Sequence, residues 1–248
     1  MELLLIILIA FLVAFIFSML GLGGAIIYTP LFFWTGLPIL TAIPMALLMN
    51  AITTVSASIT YLRLRMIDTG MAYPIIATAV PGALIGSYFT RKVDMEFIVI
   101  LLSIILFFAG IRMLFFNNFG FSATISERQK FVIGALMGFL IGLISSMVGV
   151  GGGTFIVPLL LILGFEIKNA TATSSFIITF IALSGFLGHV SFGDQKMDIV
   201  MLASAGIAAF IGAQAGSRIL KRTSSRTIER MFALVLLLAV GKLVYGLL

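Results

Sequence analysis

The sequence predicts an all-α, polytopic membrane helix bundle made of two homologous repeats, and three observations predict it. Hydrophobic residues make up 61% of the 248 and charged residues only 10%, whereas a soluble domain carries about 25% charged residues. The apolar residues form continuous runs without the inside/outside alternation of a barrel strand, so helices are the spanning elements. The segment Gly21 to Gly36, GLGGAIIYTPLFFWTG, returns 128 residues later as GVGGGTFIVPLLLILG, Gly149 to Gly164. The glycine cluster, the proline nine residues after its first glycine and the closing glycine stay in register. Duplicated apolar units interrupted by glycine and proline mark transporter cores built from two related halves.

Cutting the chain at polar, Gly and Pro positions gives ten apolar stretches: 3–20, 25–36, 39–61, 71–90, 95–116, 131–148, 153–165, 170–190, 197–217 and 229–248. Most approach the roughly 20 residues that a spanning helix needs. The second and seventh are far shorter and each carries a proline, Pro30 or Pro158, so they are the abnormal members. The opening MELLLIILIAFLVAF has no basic flank and no small-residue cleavage pattern after it, which reads as a first membrane segment and not a signal peptide. The polar bridge NNFGFSATISERQK separates an N-terminal repeat, 1–116, from a C-terminal repeat, 131–248, with 117–130 as linker. Beyond the glycine motif, Ala42 matches Ala170; after a shift of two residues Gly86 aligns with Gly212 and Lys92 with Arg218.

The net charge of +6 belongs to topology in such a chain, because Lys and Arg concentrate in cytoplasmic loops. If each half crosses an odd number of times, Arg63, Arg65, Arg112, Arg128, Lys130, Lys168, Arg218, Lys221, Arg222, Arg226 and Arg230 share one side, against Arg91, Lys92, Lys196 and Lys242 on the other. A parallel arrangement in which only the two short stretches fail to cross divides the same residues almost evenly, so the vote favours inverted repeats. It does not separate five crossings per half from three crossings plus a re-entrant hairpin. The absence of cysteine excludes disulfides, thiol catalysis and thiolate metal sites. A single His and no clustered carboxylates leave no metal site and no cofactor to expect, and nucleic acid is not an expected partner. The bilayer is the partner that composition requires; homo-oligomerisation is left open.

Glycines 21, 23 and 24, and 149, 151, 152 and 153, prevent continuous helix and precede an apolar stretch. A helix N-terminus with unpaired N–H groups and partial positive charge is therefore expected near Gly24 and near Gly152, each an anion site. Non-helical backbone in a membrane must be covered by protein or line a wet cavity, so two breaks argue for one shared central site. The pairs Gly82/Gly86 and Gly212/Gly216 fit simple helix packing at i, i+4 spacing. Polar residues follow each short stretch, among them Asn50 and Thr53 in the first half and Ser174 and Ser175 in the second. Ser and Thr can satisfy themselves one turn back, but the Asn50 amide needs partners. Gln214 and His189 invite the same reasoning. All nine acidic residues lie at segment ends or in loops, which disfavours a cation as substrate and favours a small anion.

The motifs GLGGAIIYTP and GVGGGTFIVP, with PGALIGSYFTRKV and AAFIGAQAGSRIL, resemble the TauE/SafE sulfite exporter family, also called toluene-sulfonate uptake permeases, over essentially the whole chain. That resemblance implies a prokaryotic inner-membrane secondary transporter of sulfite, sulfonates or related organosulfur anions, working by alternating access. By position it places Gly21, Gly23, Gly24 and Pro30, and Gly149, Gly151, Gly152, Gly153 and Pro158, near the permeation path. The fuller second cluster implies unequal contributions from the two copies. Competing readings are an intramembrane hydrolase using a serine and His189, which lacks a nucleophile motif, and a membrane assembly factor that does not transport.

Overall fold

The computed structural model describes residues 2–34, 36–90, 92, 126–192 and 198–245; the apolar stretch 95–116, Arg91 and most of the polar bridge lie outside them. The described residues are helical throughout, without strands: α1 Glu2–Leu20, α2 Ala25–Trp34, α3 Ile39–Arg63, α4 Thr69–Phe89, α5 Glu127–Val148, α6 Gly153–Ile162, α7 Ile167–Ser191, α8 Ile199–Leu220 and α9 Ser225–Tyr245. Five of them, α3, α4, α5, α7 and α8, are long and apolar enough to cross a membrane. α2 and α6 have ten residues each, about 15 Å at 1.5 Å per residue, which is half the roughly 30 Å of a hydrocarbon core.

Local chemistry sets the helix ends. Asp68 and Asp198 cap α4 and α8 by accepting from the N–H of Met71 (2.9 Å) and Met201 (3.0 Å). Ser126 and Gln129 form a reciprocal capping box on α5, so that helix starts within the polar bridge. The glycine runs end α1 and α5 with the same conformations: Gly21, Gly23 and Gly24, like Gly149, Gly151 and Gly152, all have positive φ. There an L side chain is strained.

Contacts fix the helix directions. Tyr61 Oη donates to the Ser18 carbonyl (2.6 Å), while Tyr28 Oη donates to the Ala10 carbonyl (3.1 Å) and lies 3.4 Å from Thr53 Oγ1. Ala10 is thus level with Thr53 and Ser18 with Tyr61, so α1 and α3 run the same way and α2 folds back between them. His189 Nε2 meets the Ser146 carbonyl at 3.0 Å, and Gly152 lies between Ile141 and Ile181; hence α5 and α7 also run together, with α6 returning. α8 runs with α3, since Ser56 Oγ donates to the Phe210 carbonyl (2.7 Å) and Thr60 Oγ1 to Gln214 Oε1 (3.2 Å). α4 runs with α7, through Tyr73 on Phe176 and Ser87 beside Gly188. The two sets oppose each other where α3 meets α7: Ala51 packs with Ile178 and Ala182, whereas Leu47, one turn earlier, lies against Gly185.

Glycine brings two helix pairs into backbone contact. Gly82 and Gly86 of α4 lie on the carbonyls of Phe139 and Leu143 in α5, and Gly212 and Gly216 of α8 lie on those of Phe11 and Phe15 in α1. Phe139 and Leu143 stand 128 residues after Phe11 and Phe15, so packing makes Gly82 the counterpart of Gly212 and Gly86 that of Gly216. The caps Asp68 and Asp198 share that 130-residue offset. This register differs by one helical turn from the pairing of Gly86 with Gly212, because an i, i+4 glycine pair can slide by a turn in an alignment and only the caps and contacts fix it. Outside, large apolar side chains such as Leu4, Leu136, Ile199, Val200 and Ile207 are exposed, a surface matched to lipid.

A β-carbon at Gly216 would run into the Phe15 carbonyl, whereas one at Gly70, in the first turn of α4, meets nothing closer than 3.4 Å. Gly216→Ala is therefore expected to lower the melting temperature of the detergent-solubilised protein sharply. Gly70→Ala should leave it unchanged or raise it, by up to about 1 kcal/mol of stability.

Candidate functional site

The two glycine breaks meet. A methyl added to Gly153 would lie 2.5 Å from Leu22 Cα and 2.9 Å from the Gly21 carbonyl oxygen, so the first turn of α6 is seated on the break that ends α1. Gly21 in turn lies on the backbone of Thr171 in α7, and Gly149 on the side chain of Ile43 in α3, residues that stand 128 apart. Gly21–Ala25 and Gly149–Thr154 are all buried.

Asn50, near the middle of α3 and fully buried, is wedged between the breaks, with its amide against both Gly23 and Gly151. Its Oδ1 accepts from the Ala25 N–H at 3.1 Å. Since that partner can only donate, the orientation of the amide is set, and Nδ2 faces Gly151 without a hydrogen-bond partner.

Two carbonyls of the breaks are met from the other half of the chain, while those of Leu22, Gly23, Val150 and Gly151 accept no hydrogen bond among the described residues. Thr29 Oγ1 donates to the Gly149 carbonyl (2.7 Å) and Ser174 Oγ to the Gly21 carbonyl (2.9 Å). The N–H groups of Gly23, Gly24 and Ile26, and of Gly151, Gly152, Gly153 and Thr154, likewise make no hydrogen bond among the described residues. Buried hydroxyls without partners include Ser145 Oγ and Thr154 Oγ1 near the second break and Thr171 Oγ1 beside the first. No Lys, Arg, Asp or Glu is buried among the described residues. The uncapped start of α6, with free N–H groups and the Asn50 Nδ2 beside it, is suited to a negative charge.

The expected residues divide. Gly21, Gly23, Gly24, Gly149, Gly151, Gly152, Gly153, Asn50 and Ser174 converge at the junction. Thr53 Oγ1 is occupied by the Met49 carbonyl, and Ser175 Oγ by that of Thr171, each one turn back (2.9 and 3.0 Å). Pro30 and Pro158 lie inside α2 and α6, downstream of the junction. Gln214 ties α8 to α3, donating to the Ser56 carbonyl at 2.7 Å, and Lys92 Nζ donates to Tyr88 Oη at 3.0 Å. His189 meets the Ser146 carbonyl as Tyr61 meets that of Ser18, and both pairs are 128 residues apart, so its observed contact is the second-half version of a packing contact. Sequence reasoning did not single out Thr29, Ser145 or Thr154.

The model of the family "Sulfite exporter TauE/SafE" matches residues 6–243. Similar proteins include "Probable membrane transporter protein YunE" of Bacillus subtilis (strain 168), 27% identical with 92% of each chain covered. "Probable membrane transporter protein YdhB" of the same organism is 25% identical over 86% of this chain and 89% of its own. "Probable membrane transporter protein ORF9" of Sinorhizobium sp is 25% identical over 91% and 86%. No solved structure matches.

The cross-half bonds can be tested directly. Thr29→Val and Ser174→Ala each strip a buried carbonyl of its partner, and each is expected to cost about 1–3 kcal/mol, read as a lower melting temperature in detergent.

Proposed function

The chain belongs to the TauE/SafE sulfite exporter family and is a multi-pass membrane transporter, and from that premise we propose that it carries a small sulfur-containing anion, sulfite, a sulfonate or a related compound, by alternating access around the junction of its glycine breaks. One observation carries this reading: where the breaks meet, α6 starts without a side-chain cap, its first N–H groups are free, and the buried Asn50 Nδ2 faces it without a partner. Such a centre attracts an anion without holding it by a fixed countercharge, which suits a solute that must also leave.

The same reading takes the chain as two inverted repeats. α1, α3 and α8 run one way and α4, α5 and α7 the other, so each helix opposes its counterpart in the other half, and exchanging the halves exchanges the α4–α5 pair with the α8–α1 pair. A two-fold axis perpendicular to the antiparallel α3 and α7 lies in the membrane plane if these helices span, and Asn50, near the middle of α3, then sits at midplane depth. α2 and α6 become re-entrant half-helices. In this arrangement Arg63, Arg65, Arg128, Lys130, Lys168, Arg218, Lys221, Arg222 and Arg226 gather at one end, with Lys92 at the other. By the positive-inside rule the crowded end is cytoplasmic, and the membrane is the cytoplasmic membrane of a prokaryote.

Purified protein in liposomes is expected to show saturable flux of sulfite or an alkanesulfonate, and Gly151→Leu, whose side chain would overlap Asn50, to abolish it; absence of saturable flux in the unmodified protein would refute the substrate class. Orientation has its own check, helped by the lack of native cysteine. A membrane-impermeant thiol reagent applied to intact cells should label Phe192→Cys and spare Ser225→Cys. Labelling of both from one side would refute the inverted arrangement.

A further inference from the structure

The two breaks are alike in backbone but not in what surrounds them. At the first, the N–H of Ala25 is already held by Asn50 Oδ1. At the second, the N-cap Gly152 has no side-chain partner, and three buried donors stand unpaired around it. Asn50 Nδ2 is directed at Gly151, Ser145 Oγ lies 3.2 Å from where a β-carbon of Gly152 would be, and Thr154 Oγ1 is in the first turn of α6. The residues 128 positions away from these three are Ile178, Phe17 and Ile26. At these three places the first break has apolar residues; its own unpartnered hydroxyl is Thr171 Oγ1, on the residue whose backbone Gly21 lies against.

We propose that the anion is bound one-sidedly, on the N-terminus of α6, by Asn50 Nδ2, Ser145 Oγ and Thr154 Oγ1 with the adjoining backbone N–H groups, and that this set selects singly charged oxyanions over doubly charged ones. The proposal rests on the anion-transporter reading and deepens it. Selection by charge follows from the donor set. Backbone and side-chain dipoles at one helix end offset about half an elementary charge, plus what the hydrogen bonds add. A second negative charge buried there, with no Lys or Arg to meet it, bears its desolvation cost uncompensated. The three side chains also come from both halves, Asn50 from the first and Ser145 and Thr154 from the second, so the site exists only while the breaks are together.

Ligand-dependent melting of the full chain in detergent tests this, with methanesulfonate as the fixed monoanion and sulfate as the dianion of similar shape. The unmodified protein should be stabilised by methanesulfonate and not by sulfate. Thr154→Val and Ser145→Ala remove hydroxyls that have no partner, so the ligand-free variants should melt at or above the unmodified protein. Their methanesulfonate affinity should fall about tenfold or more, as loss of a hydrogen bond to a charged group requires. Asn50→Asp keeps an acceptor for the Ala25 N–H but turns a carboxylate toward Gly151, and should abolish binding. Sulfate binding as tightly as methanesulfonate, or methanesulfonate binding that survives in Thr154→Val and Ser145→Ala, overturns the one-sided monoanion site while leaving anion transport standing. An unmodified protein that responds to no sulfonate and no sulfite, in melting or in flux, removes the anion reading beneath it.

Discussion

A backbone that stops being helical inside a membrane must find partners for its amides within the protein, and the centre of this molecule is arranged around that requirement. Two interruptions that would each be untenable alone are placed against each other. The carbonyl of Gly21 is met by Ser174 and that of Gly149 by Thr29, so each break is completed by a side chain from the opposite half. Asn50 then closes the junction, capping α2 with its oxygen and turning its nitrogen toward α6. Neither half could bury its own glycine run in hydrocarbon without the other, and this dependence accounts for the close backbone approach that only glycine at 21 and 153 permits and for the room that glycine at 23 and 151 leaves for the Asn50 amide.

The same dependence divides the bundle into parts with different mechanical character. Where α4 lies on α5 and α8 on α1, glycines bring backbones together over a full turn or more, a contact that tolerates little sliding because each glycine is registered on a particular carbonyl. α3 and α8 are tied by side-chain hydrogen bonds through Ser56, Thr60 and Gln214. Both kinds of contact join elements from opposite halves of the sequence. The close contacts of the bundle therefore cross-pair elements of the two halves, and α2 and α6, whose tips form the junction, are its short elements.

Much of this was legible in the sequence, and the parts that were not have identifiable causes. The helical class, the two short members and the helix starts just after Gly24 and Gly152 follow from apolar run length and glycine placement, and α2 and α6 begin at Ala25 and Gly153. The special role of Asn50 was legible because an amide cannot satisfy itself within its own helix, as Thr53 and Ser175 do. Three things were not. How the first two segments of each half lie against the third depends on tertiary contacts with no local signature, such as Tyr28 reaching Ala10 in the first half. The glycine pairs of α4 and α8 were out of register by one turn because their spacing equals the helical repeat. Thr29, Ser145 and Thr154 were hidden among the many hydroxyls of a membrane protein, since the sequence does not say which of them lack a carbonyl within reach.

If the two halves are read as repeats, as proposed, the positions where they differ separate what the fold needs from what the junction needs. The contacts that set helix direction have equivalents in both halves: Tyr61 on Ser18 and His189 on Ser146, Asp68 and Asp198 as caps, glycines on the carbonyls of Phe11 and Phe15 and on those of Phe139 and Leu143. Side chains there have changed, Tyr to His for instance, while the contact has not. At the breaks the backbone conformation is likewise the same in both copies, yet Asn50, Ser145 and Thr154 stand opposite Ile178, Phe17 and Ile26. A packing requirement would have been met equally well by apolar residues on both sides, because a buried hydroxyl or amide nitrogen without a partner costs stability. Three such groups collected at one break, against Thr171 Oγ1 at the other, are a cost the fold does not explain, and a ligand with oxygen atoms and a negative charge is the kind of partner that would remove it.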